Sequence, residues 1–211
     1  MRKLLTLFAF TCCCAPSIAQ TELGVNGGLL VNKTPWIGGG KVAGYTQSAR
    51  PSGYGSVKLL IHMRNNWQMG IGIDIATIKS DLAREVSKAP PKTVYGTIQI
   101  GAPNIPLYLM LNRTIRVPGG YAYAGLNTGI TFITGTGGAQ VSNHLVEDTD
   151  NHGFQVGMQL GYTRWLVGHL GANIEAGIRY MTTGMPNPQP GIDVTYDIWY
   201  VPASIGIRYS L

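Results

Sequence analysis

From Trp67 to Ala76 the chain alternates between two unlike sets of residues. Trp67, Met69, Ile71, Ile73 and Ile75 form one set, and Gln68, Gly70, Gly72, Asp74 and Ala76 the other. A period of two belongs to an extended strand, whose successive side chains point to opposite faces; a helix would repeat its apolar positions every three or four residues. The same alternation sets Phe154, Val156, Met158, Leu160 and Tyr162 against Gln155, Gly157, Gln159, Gly161 and Thr163. It also sets Leu170, Ala172, Ile174, Ala176, Ile178 and Tyr180 against Gly171, Asn173, Glu175, Gly177 and Arg179. Five weaker segments complete the series. Residues 22–31 oppose Leu23, Val25 and Leu29 to Glu22, Asn26 and Gly28, and residues 54–64 oppose Val57, Leu59, Ile61 and Met63 to Lys58 and His62. Residues 98–112 carry Ile105, Leu107, Leu109 and Leu111 on one face after a break at Pro103, and residues 121–133 oppose Leu126, Ile130 and Phe132 to Tyr123, Asn127 and Gly129. The last segment, residues 194–211, begins with Val194, Tyr196 and Ile198, shifts phase near Pro202, and ends with Ile205, Ile207 and Tyr209. Pro103 and Pro202 are expected to mark bulges or barrel ends, since proline cannot donate to a ladder.

Eight strands are thus expected, and their connections alternate in length. Asn65-Asn66, residues 113–119 and Val167-Gly168 are short; residues 32–53, 80–96, 135–152 and 183–192 are long. Short turns at one end and long loops at the other describe an all-β, eight-stranded, antiparallel up-and-down transmembrane β-barrel, with its long loops outside the cell and both termini at the periplasmic end. Trp67, Tyr121, Tyr162, Trp165, Tyr180, Trp199 and Tyr200 stand near strand ends, where aromatic girdles form. A soluble eight-stranded barrel shares the periodicity but needs a charged outer face. Here the face opposite the bulky one is mostly Gly, Ala, Asn, Gln and Thr with isolated charges, which suits a crowded polar interior.

Composition agrees. Of 211 residues only 12% are charged and 29 are glycine, with a mean hydropathy of +0.08. That is too polar for a helical membrane protein and too weakly charged for an ordinary soluble one. The formal charge of +6 includes Arg2 and Lys3 of the N-terminal segment, and no basic run or aromatic–basic patch of the nucleic-acid-binding kind follows. That segment is built like a secretory signal: two cations, an apolar stretch to about Ala15, then Ser17-Ile18-Ala19 before Gln20. Residues 1–19 are expected to be removed and residues 20–211 to form one domain. The apolar stretch is too short to span a bilayer about 30 Å thick as a helix. Cys12, Cys13 and Cys14 are the only cysteines, so disulfides and cysteine metal sites are absent from the expected mature chain. A lipoprotein would need a small, apolar-led tripeptide before its lipidated cysteine, which Phe10-Thr11 before Cys12 does not supply.

With the strands laid out, the chain resembles the outer-membrane β-barrel domain family that groups OmpX-like and PorT-like proteins and the barrel part of OmpA. The resemblance is carried by Ile105-Pro106-Leu107-Tyr108-Leu109, by Tyr121-Ala122-Tyr123-Ala124-Gly125-Leu126-Asn127, by Asn173-Ile174-Glu175-Ala176-Gly177-Ile178-Arg179-Tyr180, and by the ending Ile205-Gly206-Ile207-Arg208-Tyr209-Ser210-Leu211. It covers nearly all of the expected mature chain. Members often end on an aromatic residue read by the barrel-assembly machinery; this chain has Tyr209 two places before Leu211. The resemblance implies a monomeric barrel in a Gram-negative outer membrane, with roles in the family ranging from structural anchor to adhesin and secretion accessory.

Two sets of residues could carry chemistry. Glu22, Lys58, His62, Asp74, Glu175, Arg179 and Arg208 fall on the polar faces of five strands. They form either a structural plug of ion pairs or a proton or ion path, and eight strands leave little room for a path. Because Glu175 and Arg179 stand four apart on one strand, about 13 Å, each is expected to find its partner on an adjacent strand: Glu175 an Arg or Lys, with Arg208 the first candidate, and Arg179 a different acid. The third long loop holds Ser142, His144, Glu147, Asp148, Asp150 and His152: a solvated acidic loop, a divalent-cation site, or an acyl-transfer site of the kind that remodels lipid A. Lys33, Lys41, Arg50, Arg84, Lys88 and Lys92 make the first two loops basic, as simple surface charge or toward lipopolysaccharide phosphates. Gly135-Thr136-Gly137-Gly138 lacks the helix and lysine that a phosphate-binding loop needs. The expected partners are outer-membrane lipids and the assembly machinery, with no nucleic acid and no cofactor. The leading reading is a non-enzymatic barrel with a structural or binding role, ahead of a lipid A-modifying enzyme and a PorT-like export accessory. Mass spectrometry of the membrane-extracted protein should give a chain beginning at Gln20; a species retaining Cys12 with added acyl mass would overturn the cleavage site.

Overall fold

The computed structural model describes residues 20–37, 45–87, 94–133, 151–185 and 194–211. These hold nine strands: β1 (Thr21–Ile37), β2 (Tyr45–Arg50), β3 (Ser52–Met63), β4 (Trp67–Ser87), β5 (Val94–Val117), β6 (Gly120–Ile133), β7 (Asn151–Val167), β8 (Leu170–Met185) and β9 (Val194–Ser210). Strands β2 and β3 are one stave interrupted at Pro51, since both pair with β4. Every stave pairs antiparallel with its sequence neighbours, and β1 pairs with β9, so the eight staves close into a barrel.

The ladder fixes the barrel's dimensions. Followed round from Glu22 through Leu60, Gly70, Met110, Asn127, Gly157, Arg179 and Tyr200, it returns to β1 at Asn32, ten residues along the strand. Eight staves with that stagger tilt by about 40° and enclose a backbone cylinder of radius about 8 Å. The tight turns lie at Arg64–Asn66, Pro118-Gly119 and Gly168-His169. Asn65 and Asn66 both take positive φ, a conformation asparagine tolerates better than most residues. The termini close the same end, where the amide of Leu211 donates to the carbonyl of Thr21 at 2.8 Å.

The faces are inverted relative to a soluble protein. Leu23, Val57, Ile73, Leu109, Met158, Ile174 and Ile205 point outward and are exposed, while Glu22, Lys58, Asp74, Arg179 and Arg208 are buried. Water would drive such a continuous apolar belt into aggregates, and a hydrocarbon slab solvates it. No helix among the described residues is long and apolar enough to cross a membrane.

The structure corrects four expectations. Strands β4 and β5 run to Ser87 and from Val94, and the β5–β6 turn is only two residues, so the staves are longer and the connections shorter than the alternation suggested. Pro103 is no bulge: Thr77 faces Pro103 in the same register that pairs Ile73 with Leu107. Pro202 faces Leu30 without a shift, and the phase of β9 continues through it, with Ile198, Tyr200, Pro202 and Ser204 all inward. An apolar Ile198 on the lumenal face imitates a change of phase. Tyr121 and Tyr200 were expected in the girdles, yet both are buried in the lumen, where their hydroxyls have partners.

Arginine at Ile73, Val156 or Ile174 should cost about 2–4 kcal/mol near the bilayer midplane. Refolding titrations in lipid vesicles measure this, and no loss at all three positions would reverse the assignment of faces.

Candidate functional site

The lumen is the one place in the described residues where charged groups converge, and its contents follow from inward positions at every second residue. Lys58 on β3 and Glu175 on β8 form a buried ion pair. The Glu175 carboxylate also accepts from the Tyr123 hydroxyl at 2.6 Å and lies 3.6 Å from the Arg208 guanidinium. Arg208 in turn donates to the Tyr123 hydroxyl at 3.2 Å. A second pair joins Arg179 on β8 to Asp74 on β4, diametrically across the barrel. Tyr108 donates to Asp74 at 2.7 Å, and the Arg179 guanidinium lies 4.5 Å from the centre of the Tyr108 ring. Nearer the turns, Glu22 Oε1 is 2.6 Å from His62 Nε2, and the Tyr121 hydroxyl donates to Glu22 Oε2 at 2.5 Å from the far wall. Of the seven expected network residues, only His62 is half-buried, its side chain 22% exposed; the others are enclosed.

Glu175 lies against a Lys directly and an Arg at 3.6 Å, and Arg179 against a different acid, Asp74, but Lys58 and Asp74 are not on the adjacent strands expected. The reason is the bore: with a radius of about 8 Å, a long cation on one wall reaches a carboxylate on another, so pairing is not confined to neighbours. The adjacent walls are partly bare to allow this. A Cβ at Gly72 would lie 2.7 Å from the Tyr108 hydroxyl, and one at Gly24 would lie 2.7 Å from a terminal nitrogen of Arg208. A side chain at Gly72 would displace the Tyr108 ring, and one at Gly24 would push back the end of Arg208.

Around the charges runs a chain of amides: Asn112 donates to Gln68 at 2.8 Å, Gln159 to Asn112 at 2.9 Å, and Asn173 to Asn26 at 3.0 Å. Toward the opposite end Leu30, Tyr54, Ala76, Ile78, Met181, Ile198 and Tyr200 pack as one largely apolar cluster, beside the buried Asn104, Thr131 and Gln155, with the Tyr200 hydroxyl donating to Gln155 at 2.7 Å and Thr131 donating to Asn104. Tyr123 fell on the polar face with Asn127, while sequence reasoning missed this cluster and the lumenal place of Tyr54, Tyr108 and Tyr121. Their signal was the inward parity itself, since Leu30 and Tyr108 sit between outward apolar neighbours and pass as part of the same hydrophobic run. Ser142, His144, Glu147, Asp148 and Asp150 lie outside the described residues, as do Lys41, Lys88 and Lys92. His152 is on β7 opposite Phe132, exposed. Lys33, Arg50 and Arg84 fall on β1, β2 and β4. Among the described residues no three His, Cys, Asp or Glu side chains are grouped to hold a metal ion.

No family model and no curated protein matches the sequence. Solved structures match the backbone over nearly its full length. Neisserial surface protein A superposes with a TM-score of 0.52 at 10% identity, covering 92% of this chain and 99% of that one. The outer membrane protein AlkL, solved in lipid bilayers, gives 0.52 at 15% identity, covering 92% and 90%. The fold is that of an outer-membrane β-barrel. The outer membrane protease OmpT from Escherichia coli also matches, with a TM-score of 0.52 at 7% identity over 93% of this chain and 98% of that one. The outer-membrane barrel architecture expected from the sequence is thus matched at the level of fold, and at these identities the likeness carries no site from one barrel to another.

Replacing Glu175 with Gln removes the charge that answers Lys58 and leaves that ammonium buried, which should cost about 3–5 kcal/mol. The exposed Lys79→Gln should change stability by less than about 0.5 kcal/mol. Urea unfolding in vesicles compares the two, and equal losses would mean that the lumenal charges are solvated.

Proposed function

We propose that this protein is a plugged, non-conducting outer-membrane barrel that serves as a rigid frame, holding the connections opposite its tight turns at the cell surface in a structural or binding role. The supporting observation is the filled lumen. Arg179 and Arg208 are among its largest fully buried side chains, and the apolar cluster of Leu30, Ile78, Met181 and Ile198 lies in series with the charged layer. An ion crossing this path would meet neutralised pairs and then Leu30, Ile78, Met181 and Ile198 filling the bore together with the buried Asn104, Thr131 and Gln155, so that no water-filled passage is left for a hydrated ion.

The fold does not choose between binding and catalysis, because matching structures include both a surface protein and a protease. The frame reading is favoured by where the charges are spent. Each lumenal carboxylate of Glu22, Asp74 and Glu175 is held by at least two partners, so it is committed to the wall rather than poised for a substrate. The outer-membrane address is supported by the exposed apolar belt together with the matched fold.

Planar-bilayer recordings of the purified protein should show no discrete conductance steps. Steady single-channel currents would overturn the plugged reading, and turnover of lipid A lost on His152→Ala would establish the enzymatic alternative instead.

A further inference from the structure

From β3 to β7 the rim that carries the tight turns bears charged side chains of one sign, among the described residues. Arg64 stands in the β3–β4 turn, Arg113 and Arg116 near the end of β5, and Arg164 near the end of β7, all exposed. The ladder puts each within a few residues of a turn: Arg113 faces Trp67, Arg164 faces Gly120, and Arg116, three residues beyond Arg113 and on the other face of β5, faces the lumenal Tyr121 at the mouth of the barrel. Together they form an arc over the adjacent staves from β3 to β7. No exposed acidic side chain shares this rim among the described residues, and none of the four guanidiniums has a carboxylate within salt-bridge distance there. The opposite end is mixed, with Lys79, Asp81, Arg84 and Glu85 in sequence on β4 alone. The single sign is therefore a property of the turn rim and not of the barrel's net charge.

Apolar side chains are interleaved with these arginines. Ile115, between Arg113 and Arg116, is 66% exposed, and Val167, after Arg164, is 78% exposed. A soluble polyanion would leave both in water, whereas the boundary between headgroups and acyl chains takes apolar groups and cations at the same depth. The arc is also held in place. Arg113 donates to the Asn65 carbonyl and lies 5.2 Å from the centre of the Trp67 ring, and Thr114 donates to the Asn66 carbonyl at 3.0 Å. Tryptophan at this level is the usual interfacial anchor, and a guanidinium beside it presents its fork toward phosphate oxygens.

We propose that the turn rim from β3 to β7 binds the phosphate headgroups of anionic glycerophospholipids in the leaflet at that end, preferring them to zwitterionic ones. The inference rests on the reading of the chain as a membrane-spanning barrel. Lateral attraction on one side of the cylinder would fix its depth and recruit a lipid annulus there, with Arg113 as the best-ordered member.

Native mass spectrometry of the full protein, released from micelles with equal phosphatidylglycerol and phosphatidylethanolamine, reads the preference directly. Phosphatidylglycerol should be retained about three- to tenfold more often. The preference should fall to near parity when Arg64, Arg113, Arg116 and Arg164 all become Gln, and stay unchanged in Lys79→Gln. Arg113→Gln and Arg164→Gln alone should each lose part of it, which keeps the test open if the fourfold variant folds poorly. Equal retention by the unaltered chain, or an unchanged preference in the arginine variants, overturns the inference. Displacement of phosphatidylglycerol by soluble glycerol phosphate also overturns it, in favour of a free-anion site. Heat-modifiable mobility on gels, taken on the same samples, reports the barrel separately: a chain that never inserts counts against the membrane reading, and an inserted chain without lipid preference counts against this inference alone.

Discussion

In hydrocarbon there is no water to satisfy a backbone N–H or C=O, and each one left open costs several kcal/mol. The β1–β9 ladder, which runs from Glu22 opposite Ser210 to Ile37 opposite Tyr196, removes the two edges the sheet would otherwise expose. Closure then dictates the rest. With eight staves and a ten-residue stagger the bore is set at a radius of about 8 Å, too narrow for a water column once side chains enter and wide enough that they must fill it. Where Pro106 and Pro202 sit inward, the β4–β5 and β8–β9 ladders skip the residues facing them and resume in the same register. The sheet tolerates a lost hydrogen bond locally but not a shift that would turn an entire stave over.

The filling solves an electrostatic problem with geometry. Three carboxylates, Glu22, Asp74 and Glu175, and three obligate cations, Lys58, Arg179 and Arg208, are enclosed in one cylinder. Unpaired, any of them would be prohibitive; paired across the bore, they tie opposite walls together and hold the tyrosine rings that pack beside them. The tyrosines matter as much as the charges. Tyr108 supplies a hydroxyl to Asp74 and a ring face to Arg179, and Tyr123 links Glu175 to Arg208. Such a network favours a single packing of the lumen, because each buried charge is answered only where these side chains meet across the bore.

Two ends of one cylinder are finished differently. Among the described residues the loop-side lumen is packed with the Leu30 to Ile198 cluster beside the neutral Asn104, Thr131 and Gln155, and the turn-side lumen closes with Glu22, His62, Gln68 and Tyr121. Outside, the turn rim bears the arginine arc. The cylinder so built bears arginines along its turn rim, an apolar belt outside, and ion pairs and amides within.

The sequence by itself determined the strands, their number and the sense of their faces, because alternation with a period of two survives any arrangement of neighbours. It also determined which charges turn inward, since parity assigns Glu22, Lys58, Asp74, Glu175, Arg179 and Arg208 to the polar face without knowledge of the fold. It did not reveal the lumenal apolar layer, because Leu30, Leu60 and Ile198 are indistinguishable by hydrophobicity from the lipid-facing residues beside them. The partners were likewise beyond it. Lys58 and Glu175 are 117 positions apart on staves that never touch, as Asp74 and Arg179 are 105 apart. Only closure of the sheet brings opposite walls within reach of one another, and a one-dimensional pattern holds no measure of the diameter that results.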